Sequence, residues 1–426
     1  MSALLRATTT AESDPGDPPP GSMLSGFSSP DRSFWATGVA KVIEVPAPWI
    51  TNLHVVSESL EAIDILDDVD VVGSGPIAFA ALPFDTLGPG AFIIPSEIHG
   101  SDAEGRRWLT RVESTGQKAT SGPDQASMRG EIPEPVTGEP AADLAPPSGN
   151  IREPRSLAVR TTMDPHEWCR SVEAARGHIA SEELTKVVLS REIVVEADTD
   201  FDPATIFLRL RDAYPNSMTF SVDGFVGASP ELLVSRSGDL VRAHPMAGTT
   251  PRSGDPAADQ RRAEELIASE KNRVEHQITI DMVHNSVLPW CSYLDAEPTP
   301  SVVAAGPVQH LATIVEGRLS HPIPSVLELV AALHPTPAVG GWPVEPALAL
   351  IDALEPSGRG RYAGPTGWVD ARGNGAFAVS VRSAQLDGTT ATLRAGVGIV
   401  ADSDPLLELE ETRTKARALL SILVRV

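Results

Sequence analysis

The stretch TKVVLSREI, residues 185–193, reads as a β-strand. Val187, Leu189 and Ile193 share one face at a period of two, and the β-branched residues favour extended backbone. Lys186, Val188 and Ser190 fall on the opposite face. A lysine at the start of such a strand has two readings: an edge charge that discourages pairing with another chain, or a cation held inside a pocket. Just before it, DPHEWCRSVEAARGHIASEEL (164–184) has the period of an amphipathic helix with a proline near its start. Downstream, strand runs are grouped apart from helices, which favours an α+β fold over an alternating βαβ series.

Working outward, residues 218–248 read as a hairpin-like pair of strands and 255–288 as one long helix. A strand follows near 308–319, a helix begins near Ser325, and strands lie around 377–386 and 391–400. The stretch GNG at 373–375 is most simply a hairpin turn. The final element, DPLLELEETRTKARALLSIL (404–423), is a helix opened by Asp and Pro. Upstream, short β-rich runs in residues 23–115 suggest a meander with one helix around 56–65. Residues 1–22 are rich in Pro, Thr, Ser, Gly and Asp and are expected to be a disordered tail. Residues 116–155 form a second tract of low hydrophobicity, read as an exposed excursion between the early sheet and a catalytic region at 156–426.

Composition narrows the function. The 426 residues are 41% hydrophobic with no apolar run long enough for a membrane span. A net charge of −23, from 34 Lys plus Arg against 57 Asp plus Glu, argues against nucleic-acid binding, because phosphate affinity needs basic surface. More than half of that excess lies in the first 150 residues. The amino terminus lacks the features of a secretory signal, so a cytoplasmic location is expected. Cys169 and Cys291 show neither zinc-ligand nor disulfide-framework spacing and read as free thiols.

Three glutamates stand out on helices. Glu408 and Glu411 share a face three residues apart, and Glu275 precedes an apolar run in SEKNRVEHQITIDMV. Such carboxylates suit a hard cation such as Mg²⁺; each taken singly also fits an ordinary helix surface. Glycines in PMAGTTPR and RAGVGIV, with Arg252 and Arg394 near them, fit either backbone contacts to a carboxylate or turns and bulges.

In order along the chain, KVVLSR, GASPELLV, PMAGTTPR, SEKNRVEH, VQHLAT, LHPTPAVGG, RYAGPTGW, VSVRSA, AGVGIV and ELEETRTKA resemble the chorismate-utilising enzymes, and the isochorismate synthases among them. The resemblance is dense over 151–426 and loose before it. It implies one chorismate-utilising domain over 23–426, a large α+β sandwich of antiparallel sheets with helices outside and the active site between the sheets. The implied reaction is Mg²⁺-dependent conversion of chorismate to isochorismate, feeding siderophore, menaquinone or salicylate biosynthesis. The resemblance makes Lys186 the general base that activates water and Glu231 the acid that protonates the departing C4 hydroxyl. It makes Glu275 and Glu411 direct metal ligands, with Glu408 holding a metal-bound water. Arg382, Tyr362 and the backbone of Gly396 and Gly398 would grip the enolpyruvyl carboxylate, and Lys415, Gly248 and Thr249 the ring side. His334 would line the reacting face beside Ala338, with a packed core histidine as its alternative.

The chain departs from the family pattern at Asn272 and Ala376, where many relatives carry acidic residues. A salicylate synthase, which goes on to eliminate pyruvate, is the nearest alternative, and a non-catalytic chorismate-binding relative is another. Anthranilate-type enzymes fit less well because Lys186 is present. No partner beyond the small-molecule substrate is implied; a monomer is compatible with the sequence.

Overall fold

The computed structural model describes residues 4–14, 16–115 and 154–424. Antiparallel pairing dominates three sheets of thirteen, nine and three strands. The thirteen-stranded sheet runs from Leu157–Thr161 through Lys186–Ala197, Thr390–Ile399, Ser383–Asp387, Phe225–Ser229 and Met218–Val222, then continues into amino-terminal strands from Ser25–Ser28 to Asp64–Asp67. The nine-stranded sheet joins Leu232–Ser237 and Gly375–Val379 to Ile77–Ala81 and Lys41–Val45.

Aromatic side chains fill the space between the two large sheets. Phe27, Phe34, Trp108 and Phe220 from one meet Ile77, Phe79, Trp368 and Ala378 from the other. Phe34 packs edge-on against Phe79 and Trp368, with ring centroids 6.2 and 4.9 Å apart. Helices cover the outer faces. Val187, Leu189, Val397 and Ile399 pack with residues of Pro165–Ala180, Val344–Leu354 and Pro405–Leu423, while the Glu270–Val287 and Val326–Leu333 helices pack on the nine-stranded sheet. The strand of residues 185–193 thus sends Val187 and Leu189 into the helix layer, and its other face is buried too, toward the sheet-to-sheet space.

Several elements differ from the sequence expectation. The expected disordered tail contains a strand, Leu5–Ala11, lying between Asp64–Asp67 and Arg107–Ser114. Both neighbours supply backbone partners, Ala7 and Thr9 are fully buried, and the Thr9 and Thr110 hydroxyls are 2.9 Å apart. Pairing with distant residues outweighs the low hydrophobicity of the segment. The helix expected at 56–65 is His54–Glu61, and residues beyond it enter a strand. The single long helix is two, Pro256–Ala268 and Glu270–Val287, because Ser269 is extended and its hydroxyl accepts from the Asn272 backbone N–H to cap the second. The hairpin-like pair at 218–248 is five strands spread over all three sheets, and 308–319 is two. The turn at 373–375 does connect an antiparallel hairpin. The excursion at 116–155 lies outside the described residues except for its last two.

Three of these sheet changes matter for function. The chain passes from the large sheet to the nine-stranded one at Pro230 and Glu231, returns at residues 380–382, and leaves for the three-stranded sheet at Pro245. Backbone that switches sheets cannot be fully paired along a ladder, so it forms corners, and these corners surround one cavity.

Candidate active site

The cavity has a volume of about 250 Å³ and is lined on one wall by Lys186 and Val188. Both side chains leave the face of the strand opposite to the helix-packed Val187 and Leu189. Lys186 is only 5% exposed and its Nζ lies 2.8 Å from Glu275 Oε1. Gly398, paired with Val188, makes room for it: a Cβ there would stand 2.8 Å from Lys186 Cε. Gly396 does the same for Tyr362, whose hydroxyl a Cβ would meet at 2.9 Å. Both glycines line the cavity as expected, and close packing of a neighbouring side chain accounts for the absence of their own.

Glu231 stands at the first sheet-to-sheet corner, 5% exposed. Burial pushes its carboxyl up from 4.5 to about 7, opposed by a hydrogen bond from the Met246 backbone and by Lys186, Arg382 and Lys415. Its Oε1 has no hydrogen-bond partner. Arg382, at the second corner with φ of 53°, donates from a guanidinium NH₂ to His310 Nε2 at 2.7 Å, while its Nε is unpartnered. Burial lowers its pKa from 12.5 to about 10, which leaves it a cation at neutral pH.

His310 has no role in the sequence reading, although VQHLAT contains it. A guanidinium only donates, so Nε2 must accept and Nδ1 carries the hydrogen, which reaches Thr249 Oγ1 at 3.0 Å. Burial, with Arg382 and Lys415 nearby, holds its pKa well below the usual value and keeps it neutral. Gly248 sits beside Thr249 with φ of 72° at a break in the ladder between Ala247 and Thr249, and a Cβ there would press on Asn272 at 3.2 Å.

The carboxylates line the same cavity as Lys415, Gly248, Thr249, Ala338 and Tyr362. Lys415 Nζ pairs with Glu411 at 2.8 Å and donates to Gly396 O at 3.0 Å. Burial alone would raise the Glu275 carboxyl, but Lys186 and Lys415 pull it below its ordinary value. Burial pushes Glu408 up, with Glu411 adding to the rise and a hydrogen bond from Ser403 opposing it. Among the described residues, no three acidic, histidine or cysteine side chains are drawn close enough to grip an ion on their own. The donor set nonetheless fits Mg²⁺ in kind: oxygen ligands, few in number, beside space for water and an anionic substrate. Asn272 lines the cavity as a neutral amide and donates from Nδ2 to Ser269 Oγ at 2.9 Å.

His334 is a correction. It does not line the cavity; its Nε2 donates to Phe84 O at 2.9 Å, and its ring packs near Trp49 and Phe84. Burial lowers its pKa to about 4, so it is a neutral core histidine. Ala338, four residues on, does line the cavity. Two other candidates also fall away from the ligand space. Arg252 is engaged with Asp259 and Gly306 O, and Ala376 lies on an interior strand of the nine-stranded sheet, packed against the aromatic core and off the cavity wall, so its departure from the acidic pattern leaves that wall unchanged.

The chorismate binding enzyme model matches residues 31–424. The chain belongs to the chorismate binding enzyme family. It is 34% identical to isochorismate synthase MenF of Bacillus subtilis over 368 residues, 82% of this chain and 75% of that protein. It is 32% identical to isochorismate synthase DhbC of the same organism over 406 residues, 92% of each. The fold matches that of the menaquinone-specific isochorismate synthase MenF of Escherichia coli with a TM-score of 0.79 at 23% identity, covering 99% of this chain and 95% of that one. Lys186, Arg382 and Lys415 all border the corner cavity.

Proposed function

We propose that the protein is a Mg²⁺-dependent isochorismate synthase. The observation that carries this reading is the joint burial of Lys186 and Glu231 on the walls of one small cavity, with the Glu231 pKa near 7. A carboxyl tuned to that value holds a proton near neutral pH and can release it during reaction. Relatives named isochorismate synthase at 34% and 32% identity support the same assignment.

In this reading chorismate lies with its ring between Lys186 and Glu231. Lys186, in the role of general base, takes a proton from water as that oxygen bonds to C2. Both conjugated ring double bonds shift by one position, the C4–O bond breaks, and Glu231 gives its proton to the departing hydroxyl, which leaves as water. Protons and electrons balance: one water enters and one leaves, and the reverse reaction exchanges the two roles. Arg382, held by His310, receives the enolpyruvyl carboxylate with Tyr362 close by, since an arginine fork matches a planar anion. Lys415, with Gly248 and Thr249, borders the ring. Glu275 and Glu411 would bind Mg²⁺ directly and Glu408 would hold a water on it; the ion supplies charge neutralisation for the ring carboxylate.

Incubating the protein with chorismate and Mg²⁺, then separating products by chromatography, tests the assignment. Isochorismate accumulating toward an equilibrium with chorismate is expected. Salicylate with stoichiometric pyruvate as the main product would move the protein to the pyruvate-eliminating branch, and binding without turnover would make it a non-catalytic relative.

A further inference from the structure

The strand that carries Lys186 has a gap along one edge. Lys186 and Val187 pair with Gly341–Trp342, Val188 N donates to Gly340 O, and Ile193 onward pairs with Leu157–Thr161. Between these partners, among the described residues, no strand runs alongside residues 189–192 on that edge. Two side chains fill the gap. Arg359 donates from a guanidinium NH₂ to Val188 O at 2.6 Å, and Glu355 Oε1 accepts from Ser190 N at 2.8 Å. These are the bonds a neighbouring strand would otherwise make, and a buried edge left without them would carry unsatisfied backbone groups.

The same two side chains reach other cavity walls. Arg359 and Glu355 form an ion pair, 2.6 Å between closest atoms, with both side chains no more than 3% exposed. The other guanidinium NH₂ of Arg359 donates to Val339 O at 2.8 Å, next to Ala338. Tyr362 N donates to Arg359 O. Glu355 Oε2 accepts from Ser190 Oγ at 3.0 Å and lies 3.5 Å from Arg394, itself a cavity-lining residue tied to Glu192 at 3.0 Å. One buried pair therefore binds the Lys186 strand, the Ala338–Val339 wall and, through the short link to Tyr362, a third.

We propose that Glu355 and Arg359 are positioning residues for the reaction: they set the separation between the Lys186 strand and the Ala338–Val339 wall, and so the placement of the base against the substrate. The inference rests on the isochorismate synthase reading. A charged pair is suited to this because its fork of hydrogen bonds fixes direction as well as distance. Neither side chain lines the cavity. Its effect should appear in the chemical step rather than in binding.

The test compares Glu355→Gln, Arg359→Lys and their combination with the parent, using Ser190→Ala as a milder fourth protein that removes one hydroxyl contact to Glu355. Folding is followed by circular dichroism and thermal melting, chorismate affinity by direct titration, and kcat and KM well below each melting temperature. Misplacing a reacting group slightly, or loosening the residues that orient it, costs on the order of 10- to 100-fold. The expected result is a kcat loss of that size in folded Glu355→Gln and Arg359→Lys, with chorismate affinity nearly retained. The double variant should lose about as much as either single one, because the pair acts as a unit. Ser190→Ala should lose about 3- to 10-fold in kcat by the same argument, and it carries the test should the buried charge variants fail to fold. Folded variants with parental kcat, or a loss confined to melting temperature, would overturn the positioning role. A parent that makes no isochorismate would instead overturn the reading on which the inference rests.

Discussion

The amino-terminal and carboxy-terminal parts of this chain build the same two sheets but do different work. Strands from residues 5–114 extend both sheets and supply most of the aromatic packing between them, including Phe27, Phe34, Phe79 and Trp108. None of those residues lines the cavity, whose walls, among the described residues, come from residues 186–415. The difference follows from topology. The amino-terminal chain also switches sheets, at residues 38–40 and 95–96, but those corners lie away from the cavity, whereas the corners at 230–231, 245 and 380–382 bring Glu231, Met246 and Arg382 onto its wall. In the proposed reaction the inward polar groups carry the chemistry, and the ladders hold the corners in place.

The sharpest way to break this division is to change the corner and strand residues that line the cavity. Lys186→Ala should keep chorismate binding and lose on the order of 10²- to 10⁴-fold in kcat, the usual worth of a general base. A kcat within a few-fold of the parent would remove Lys186 from the chemistry. Glu231→Gln should be comparably impaired in steady-state assays. It should also be more stable at alkaline pH. Burial raises the folded-state pKa from 4.5 to about 7, so the folded carboxyl binds the proton more tightly than the unfolded one, and stability falls as pH rises from 4.5 through 7. The corresponding destabilisation at pH 8 is about 3 kcal/mol, which the amide removes; thermal melting at pH 8 and at pH 4 should show a gain only at the higher pH.

A smaller effect is expected at the carboxylates. Glu275→Gln and Glu411→Gln should each raise the Mg²⁺ concentration needed for half-maximal activity by about 10-fold or more, since each removes an anionic oxygen from a hard-cation site. Direct titration of Mg²⁺ by calorimetry provides a readout independent of turnover. Unchanged affinity in both variants would place the cation elsewhere.

Two core residues sharpen the comparison from the other side. His334→Leu leaves Phe84 O without its donor and should cost about 1–3 kcal/mol of stability, with kcat close to parental. Because the folded-state pKa of His334 is near 4, its neutral form contributes stability that is complete above about 6.5 and declines as pH falls from there toward 4. The variant should lack that part of the acid sensitivity in a melting series. At the far edge of the large sheet, Thr9→Val should cost about 1 kcal/mol by leaving Thr110 without its partner, and chorismate turnover should not change.

Much of the site was legible because its residues sit in compact local motifs. Lys186 reads as a strand lysine opposite an apolar face, Glu231 lies in GASPELL, and Glu408 and Glu411 mark one helix face. Contacts between distant segments were not legible in this way. His310 acquires its role from Thr249 and Arg382, 61 and 72 residues away, and Glu355 reaches a strand 165 residues earlier. His310 does stand in the VQHLAT motif, but neither there nor around Glu355 does the local sequence point to these distant partners. His334 was misplaced for the complementary reason: it stands in a motif whose later residues line the cavity, but the helix Val326–Leu333 ends at it and directs its ring toward Trp49 and Phe84. The strand Leu5–Ala11 was missed because polar threonines next to a Pro-rich stretch look uncommitted until two partner strands are present.

The central claim is that water from solvent, activated at Lys186, becomes the new ring hydroxyl while Glu231 expels the old one. Running the reaction for less than one turnover in ¹⁸O-water with chorismate and Mg²⁺, followed by mass spectrometry of the isochorismate formed, tests it most directly. One ¹⁸O at the C2 hydroxyl is the predicted result. Isochorismate that carries only the oxygen originally on chorismate C4 would mean that the hydroxyl migrates within the molecule, and would contradict the assigned roles of both residues.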